Sequence, residues 1–425
     1  MTAVNDNGLA PGLVMRFCGD RPNPSMFDEA QKTDVALYRK EVVVADDERA
    51  PWGDQILPVV FTASNLVSDT YHDTPVRNSS KTVAMRKMTW QGQSLAYGEF
   101  LMAVQQRLAV FMLVIIGRQC RFIRWDRSGS IVTSALDYFV DWVSFCHIMS
   151  AIAFCTDVEL GCDPTAVRLF PHDPDYHKMN EAAVPLLTDI DHAEGLLPGG
   201  MVPEASSVLK YVRHQFASSL EPLWPRYRLE VPDGNFKMRC FLVCKPVFRA
   251  EGLAGRGTRG YVALDCETGA FVWLKDAWRE HHLMVEKEGD VLAQLNDAGI
   301  PHVPTLVCHG DIGDQDTLTP VWWEQHHRQR SLGRSTINAA GASSGRTQPS
   351  GCSSRNLKRK RAATNEGADI TATSHTDCPL RLHRHYRLVV KEVAMPLSDF
   401  TSGRQLVSVV TDCIYGEPCY SCDAH

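Results

Sequence analysis

The chain has 425 residues, of which 44% are hydrophobic and 22% are charged, which is typical of a globular protein and excludes a wholly disordered, collagen-like or coiled-coil chain. Its net charge of −6 provides no chain-wide basic field, so we expect no specific nucleic-acid partner. The most apolar stretch, Leu108 to Ile116, is too short to cross a bilayer. No secretory signal is visible at the N-terminus. We therefore predict an intracellular protein, nuclear or cytoplasmic, with more than one domain.

Two regions precede the glycine-rich part of the chain. Residues 1–50 carry acidic clusters and little apolar periodicity, which predicts a flexible leader. Residues 51–230 have a globular pattern and are predicted to form a separate α+β module. Its predicted elements are a helix from Ser94 to Leu113, a hairpin around Asp126–Gly129 and a helix from Phe139 to Phe154. We interpret the hairpin turn as a tight turn with a local Asp–Arg pair rather than a catalytic site.

A glycine-rich segment follows the β-type run at residues 241–248. Gly255, Gly257 and Gly260, with Val262, fit the pattern G-x-G-x-x-G-x-V, in which glycines allow backbone N–H groups to approach the phosphates of ATP. Val262 would then cover the adenine. Glycines also occur in simple hairpin turns, and the Rossmann pattern of glycines requires a helix directly after them. Two β-type runs follow here instead, so the sequence favours the kinase pattern over the Rossmann pattern.

A lysine and a glutamate follow at the spacing that this pattern requires. Lys275 ends the second β-type run, in Val-Trp-Leu-Lys, the place of the phosphate-binding lysine in V-A-I-K. The segment from Glu280 to Ala298 has an apolar face and a Gly-Pro stop beyond it, which predicts a helix. A kinase needs a glutamate on this helix to hold the lysine. We predict Glu288 for this role, with Glu286 as the alternative.

An insert separates the last two predicted strands, residues 303–307 and 386–393. Residues 325–380 are rich in polar residues and are predicted to be disordered, because they cannot bury enough apolar surface to offset their chain entropy. At the end of the last strand, the backbone groups of Glu392 and Ala394 are predicted to face the adenine edge at the hinge.

The insert contains a four-residue basic run. Such a run is the minimal pattern of a nuclear import signal, which would bind an import receptor, and it is equally a solvated charge run. The run consists of Lys358, Arg359, Lys360 and Arg361.

Several short segments together resemble the fungal-type protein kinase domain family, which is typical of mushroom-forming fungi. The resemblance also includes Trp125–Gly129 and the helix before it, which look like the long N-terminal extension of that family. It implies a protein-kinase-like N-lobe, an antiparallel sheet plus one helix, at residues 231–324, and the last N-lobe strand, the hinge and the truncated start of a C-lobe at residues 381–425. It further implies ATP and Mg²⁺ as cofactors and transfer of phosphate to Ser or Thr of a protein. The other segments are Gly255–Gly260, Leu274–Trp278, Glu288–Leu292, Val303–Thr305 and Cys308–Asp311.

The sequence departs from the family pattern beyond Ile414. His309–Asp311 is similar to the catalytic-loop motif but precedes the hinge strand and lacks the asparagine that should follow. Asp399–Thr401 is similar to D-F-G but has threonine for glycine. We therefore expect a C-lobe that is largely missing, no metal ligands, and a truncated kinase that is inactive as given. The alternative is a catalytically dead, pseudokinase-like nucleotide-binding or scaffolding protein.

Overall fold

The computed structural model describes most of the chain, with several gaps. The basic run and most of the predicted insert lie outside the described residues, so both remain predictions. The described residues are 2–18, 35–42, 52–62, 81–190, 208–234, 237–281, 286–327, 378–400 and 402–415.

The first sheet has seven strands in the order β1-β2-β3-β4-β5-β6, with β7 paired to β5. β3 and β4 run parallel, and the other neighbours are antiparallel. The strands are β1 Leu13–Phe17, β2 Val35–Arg39, β3 Leu57–Thr62, β4 Val110–Ile116, β5 Gln119–Asp126, β6 Gly129–Val132 and β7 Leu136–Asp137.

The flexible leader predicted for residues 1–50 is wrong for the described part of that segment. β1 and β2 pair with each other, and β2 continues the sheet through the pairing of Leu37 with Leu57. Leu13, Met15 and Leu37 are buried. Strands of five residues carry too little periodicity to be recognised alone, and their apolar faces become core only when the neighbouring strands are in place.

The helices of the first part are present with shifted ends. α2 spans Lys81–Val104, so it begins and ends earlier than predicted, because Val110–Ile116 is a run rich in β-branched residues that pairs with β3 and β5. The predicted hairpin is present as β5 and β6. α3 spans Trp142–Phe154, and the Asp141 side chain caps it by accepting from the Ser144 N–H.

The second sheet has eight strands in the order β10-β12-β13-β15-β14-β9-β8, with β11 paired to β12. β9 also pairs with β10, so six of these strands close into a barrel. The strands are β8 Ala166–Leu169, β9 Arg226–Asp233, β10 Lys237–Val243, β11 Phe248–Arg249, β12 Arg259–Asp265, β13 Phe271–Glu280, β14 Leu306–Asp316 and β15 His383–Val390.

The two predicted parts of the chain share this sheet, so the expected separation between them does not hold. β8 comes from the part that was expected to fold by itself, and it pairs with β9. The expected boundary at residue 230 falls inside β9. One apolar cluster also combines Leu101 of α2 with Val262 of β12. The α+β class is confirmed, and the two parts are packed against each other.

The remaining helices lie outside the barrel. The helix predicted from Glu280 begins only at Glu288, because β13 continues to Glu280, which pairs with His383. Among the described residues, no helix is long and apolar enough to cross a membrane. These helices are α1 Thr2–Asp6, α4 Pro174–Ala182, α5 Lys210–Ser219, α6 Glu288–Asp297 and α7 Gly403–Tyr415.

Charged side chains are buried inside the barrel beside its apolar cluster. Arg259 Nη2 donates to Asp276 Oδ2 at 2.8 Å, and His385 Nε2 lies 2.5 Å from Asp276 Oδ1. Arg387, fully buried, forms an ion pair with Asp163. Burial alone would raise the pKa of Asp163, but Arg387 and His385 lower it to about 2. The barrel interior therefore holds ionised groups that are paired with each other.

Candidate nucleotide site

Lys275 and Glu288 form an ion pair at the surface of the second sheet. Lys275 lies in the middle of β13, opposite Gly260 of β12, and Glu288 is the first residue of α6. Lys275 Nζ donates to Glu288 Oε2 at 2.6 Å. The lysine side chain is 29% exposed, so part of it reaches the surface. The structure brings together the two residues that the sequence predicted, and Glu286 takes no part in the pair.

Residues that the sequence analysis missed hold the start of α6 in place. The Gly289 N–H donates to the Tyr386 hydroxyl at 2.8 Å, and this hydroxyl lies 3.0 Å from His309 Nδ1. A Cβ at Gly289 would lie 2.0 Å from the His309 ring, so only glycine allows this approach. Leu292 packs in a small cluster with Tyr386. These contacts join positions far apart in the sequence, so no spacing pattern indicated them.

The glycine-rich segment is held by Arg127 from the β5–β6 turn. The Gly255 N–H donates to the Arg127 carbonyl at 2.8 Å, and Arg127 Nη1 donates to the Leu253 carbonyl at 3.0 Å. A Cβ at Gly257 would lie 2.2 Å from Arg127 Cζ, so the guanidinium packs directly on this glycine. The N–H of Gly255 is one of the groups that the kinase pattern would direct at phosphate oxygens. In this structure it already donates to the carbonyl of Arg127.

The predicted tight turn with a local Asp–Arg pair is present, and the arginine of the pair is Arg124, whereas Arg127 donates to the glycine-rich segment. Asp126 accepts from Arg124 Nη1 at 2.7 Å and from the backbone N–H groups of Leu318 and Thr319, both at 2.9 Å. These two donors lie just after β14, in the second part of the chain. The turn therefore joins the two sheets. Its partners Leu318 and Thr319 are distant in the sequence and become its neighbours only in the folded protein.

Val262, which was predicted to cover the adenine, lies on the face of the sheet that also carries Lys275. It pairs with Trp273, which stands where the V-A-I-K pattern has alanine. A Cβ at Gly260 would lie 2.3 Å from the Trp273 ring, so that glycine makes room for the tryptophan. Val262 is only 1% exposed because α5 covers this face.

The segment after β15 is tied to the segment before β14. The Glu392 carboxylate accepts from the backbone N–H of Thr305 at 2.7 Å and from its hydroxyl at 2.8 Å. The Lys391 N–H donates to the Thr305 carbonyl at 2.9 Å. Glu392 and Ala394 are exposed. The side chain of Glu392 thus fixes this segment, whereas the prediction concerned the backbone of both residues.

Two aspartates belong to segments that are similar to kinase motifs, Asp311 to the catalytic-loop motif and Asp399 to D-F-G. Asp311 lies on β14 and accepts two hydrogen bonds from Arg279, at 2.6 and 2.7 Å. Asp399 ends a short helical turn and is exposed. Within the ranges that the structure describes, no group of three or more His, Cys, Asp or Glu side chains is arranged to hold a metal ion.

Most of the chain matches the model of a known protein family. The model of a family described as fungal protein kinase matches residues 77–191 and 222–418, more than half of the chain. Helix α5 lies between the two matched segments. No curated protein and no solved structure matches the chain.

Proposed function

Because the chain belongs to the fungal protein kinase family, we propose that its second sheet and α6 form a protein-kinase-like N-lobe that binds the phosphates of ATP. The observation that carries this proposal is the 2.6 Å pair of Lys275 and Glu288. In protein kinases such a lysine, held by a helix glutamate, must be in place for phosphoryl transfer. The order β12-β13-β15-β14, with α6 packed on β15, supports the same proposal.

The phosphate end of the site fits this role. An ammonium group has three donors, and Glu288 uses one of them, so Lys275 retains donors for phosphate oxygens. Gly260, directly opposite Lys275, has no side chain of its own, and the Trp273 ring packs in the space that a Cβ would need. Mg²⁺ would bridge the phosphates in a kinase, and the described residues supply no cluster of ligands for it. The nucleotide would therefore be held mainly by Lys275.

We predict that Lys275→Met weakens binding of ATP by about 10- to 100-fold, because a hydrogen bond to a charged group contributes about 1.5–3 kcal/mol. A titration of the purified chain with a fluorescent ATP analogue measures this change. Lys237→Met is the matched control, because Lys237, on β10, forms a surface pair with Glu267 at 2.8 Å, and β12 separates β10 from the strand of Lys275. Equal affinities of the wild type and Lys275→Met would contradict the proposed site.

We further predict that the 425-residue chain does not transfer phosphate to a protein. Transfer requires an aspartate that orients the acceptor hydroxyl, and ligands for Mg²⁺. Asp311 is occupied by Arg279, and Asp399 is on an exposed turn, so neither can take these roles. The assay is incorporation of radiolabel from ATP into a generic Ser/Thr acceptor, with Lys275→Met as the control. Lysine-dependent incorporation is the result that this prediction forbids.

A second candidate is a catalytically dead nucleotide-binding or scaffolding protein. It is favoured by the contacts of Arg127, which engage the glycine-rich segment with the rest of the protein. The ATP titration distinguishes a nucleotide-binding protein from a scaffolding protein. Lysine-dependent binding without transfer supports a nucleotide-binding protein, and folded protein without such binding supports a scaffold.

A further inference from the structure

The sheet face that would contact the base of the nucleotide is continuous with the phosphate end of the proposed site. Val262 is opposite Trp273, and Gly260 is opposite Lys275, on the same two strands. Side chains two residues apart on a strand point to the same face. Val262 and Trp273 are therefore on the face of Lys275. A base stacked on this face needs it to be uncovered.

Helix α5 covers this face. Its residue Phe216 is fully buried, in one apolar cluster with Val262 and Leu264 of β12. The ring of Phe216 lies 5.0 Å from that of Phe271, which pairs with Leu264. Val262 is 1% exposed and Leu264 is 2% exposed, so no space for a planar base remains between α5 and the sheet.

Side chains of α5 attach it at two further points. The Tyr211 hydroxyl donates to the carbonyl of Val393, in the segment that follows β15. Arg213 Nε and Nη2 donate to the Asp189 carboxylate at 2.7 and 2.9 Å. The hydroxyl of Tyr211 thus occupies a backbone acceptor located between Glu392 and Ala394, the two residues predicted to face the adenine edge.

We propose that α5 is an internal cover of the base-binding face, and that the base of ATP occupies this face only when α5 is displaced. This inference rests on the proposed function, because it concerns the same site. Phe216 and the base would require the same surface, so the packing of α5 and the binding of the base exclude each other. The association constant measured for ATP is then the intrinsic constant multiplied by the fraction of molecules in which α5 is displaced.

The test compares ATP binding by variants that loosen α5. Phe216→Ala removes the buried ring, and Tyr211→Phe removes only one hydroxyl, so the second variant preserves the packing if the first fails to fold. His214→Ala is the matched control, because His214 is exposed on the same helix. We expect ATP affinity to rise about tenfold in Phe216→Ala and about threefold in Tyr211→Phe, and to remain unchanged in His214→Ala. Each variant is also measured with Lys275→Met, which should reverse the gain.

Hydrogen exchange of wild-type residues 210–219 provides a second readout, which saturating ATP should accelerate. Lysine-dependent binding that neither variant strengthens, with exchange of α5 unchanged by ATP, would overturn the cover and leave the proposed function in place. Absence of lysine-dependent binding in every folded variant would overturn both.

Discussion

Arg387→Met is expected to lower the free energy of unfolding by about 3–5 kcal/mol, the cost of removing one partner of a buried ion pair. Arg387 is fully buried in the barrel. It pairs with Asp163 and donates to the Glu230 carbonyl at 2.7 Å and to the Thr165 hydroxyl at 2.9 Å. Methionine fills a similar volume, but it leaves a buried carboxylate and two acceptors without this donor.

Urea denaturation of both proteins measures the difference, with Arg381→Met as the matched control. Arg381 pairs with Glu280 at 2.9 Å on the surface, where its side chain is 71% exposed. Such a pair contributes only about 0–1 kcal/mol. If the two substitutions cost the same, the charged cluster inside the barrel does not form as described.

The ion pair of Arg387 and Asp163 also makes the free energy of unfolding depend on pH in the acid range. The pKa of Asp163 is lowered to about 2 in the folded protein, whereas an unperturbed aspartate has a pKa of about 3.9. Its contribution is therefore present above about pH 4 and is lost as the pH falls toward 2. We expect the wild type to lose stability over this range and Arg387→Met to lose less, because the depressed pKa depends on Arg387.

Asp126→Ala is expected to lower the free energy of unfolding by about 3–5 kcal/mol, because each buried donor that loses its acceptor costs about 1–3 kcal/mol. The Asp126 carboxylate is buried and accepts from three backbone N–H groups and Arg124. Its loss should also release Arg127 and the glycine-rich segment. We expect faster hydrogen exchange at residues 250–258.

Asp141→Ala is the control for this substitution. Asp141 caps α3 in the same part of the chain by accepting from the Ser144 N–H at 3.1 Å, and it does not contact the glycine-rich segment. Loss of such a cap costs about 1 kcal/mol. A cost for Asp126→Ala no larger than this, with unchanged exchange at residues 250–258, would show that the turn does not clamp the glycine-rich segment.

The sequence by itself determined the order of the site elements. The glycines, Lys275 and Glu288 lie within one short stretch of chain, and their spacing is a local property of strand, turn and helix. The pairing of Gly260 with Lys275 and of Lys275 with Glu288 follows from that order. The hairpin at Asp126–Gly129 was also predictable, because alternation and turn residues are local signals.

Only the tertiary structure decided what covers these elements. Arg127 reaches Leu253 and Phe216 reaches the sheet face of Val262, from parts of the chain far from the glycines. The closure of the barrel by β9 and β10, and the place of β1 and β2 in the first sheet, depend likewise on partner strands. A side chain's own sequence neighbours determine its local conformation, whereas the surface it contacts depends on how distant apolar faces are buried together. For that reason the sequence predicted the residues of the Lys275–Glu288 pair, and the folded structure alone revealed the helix over the sheet face of Val262.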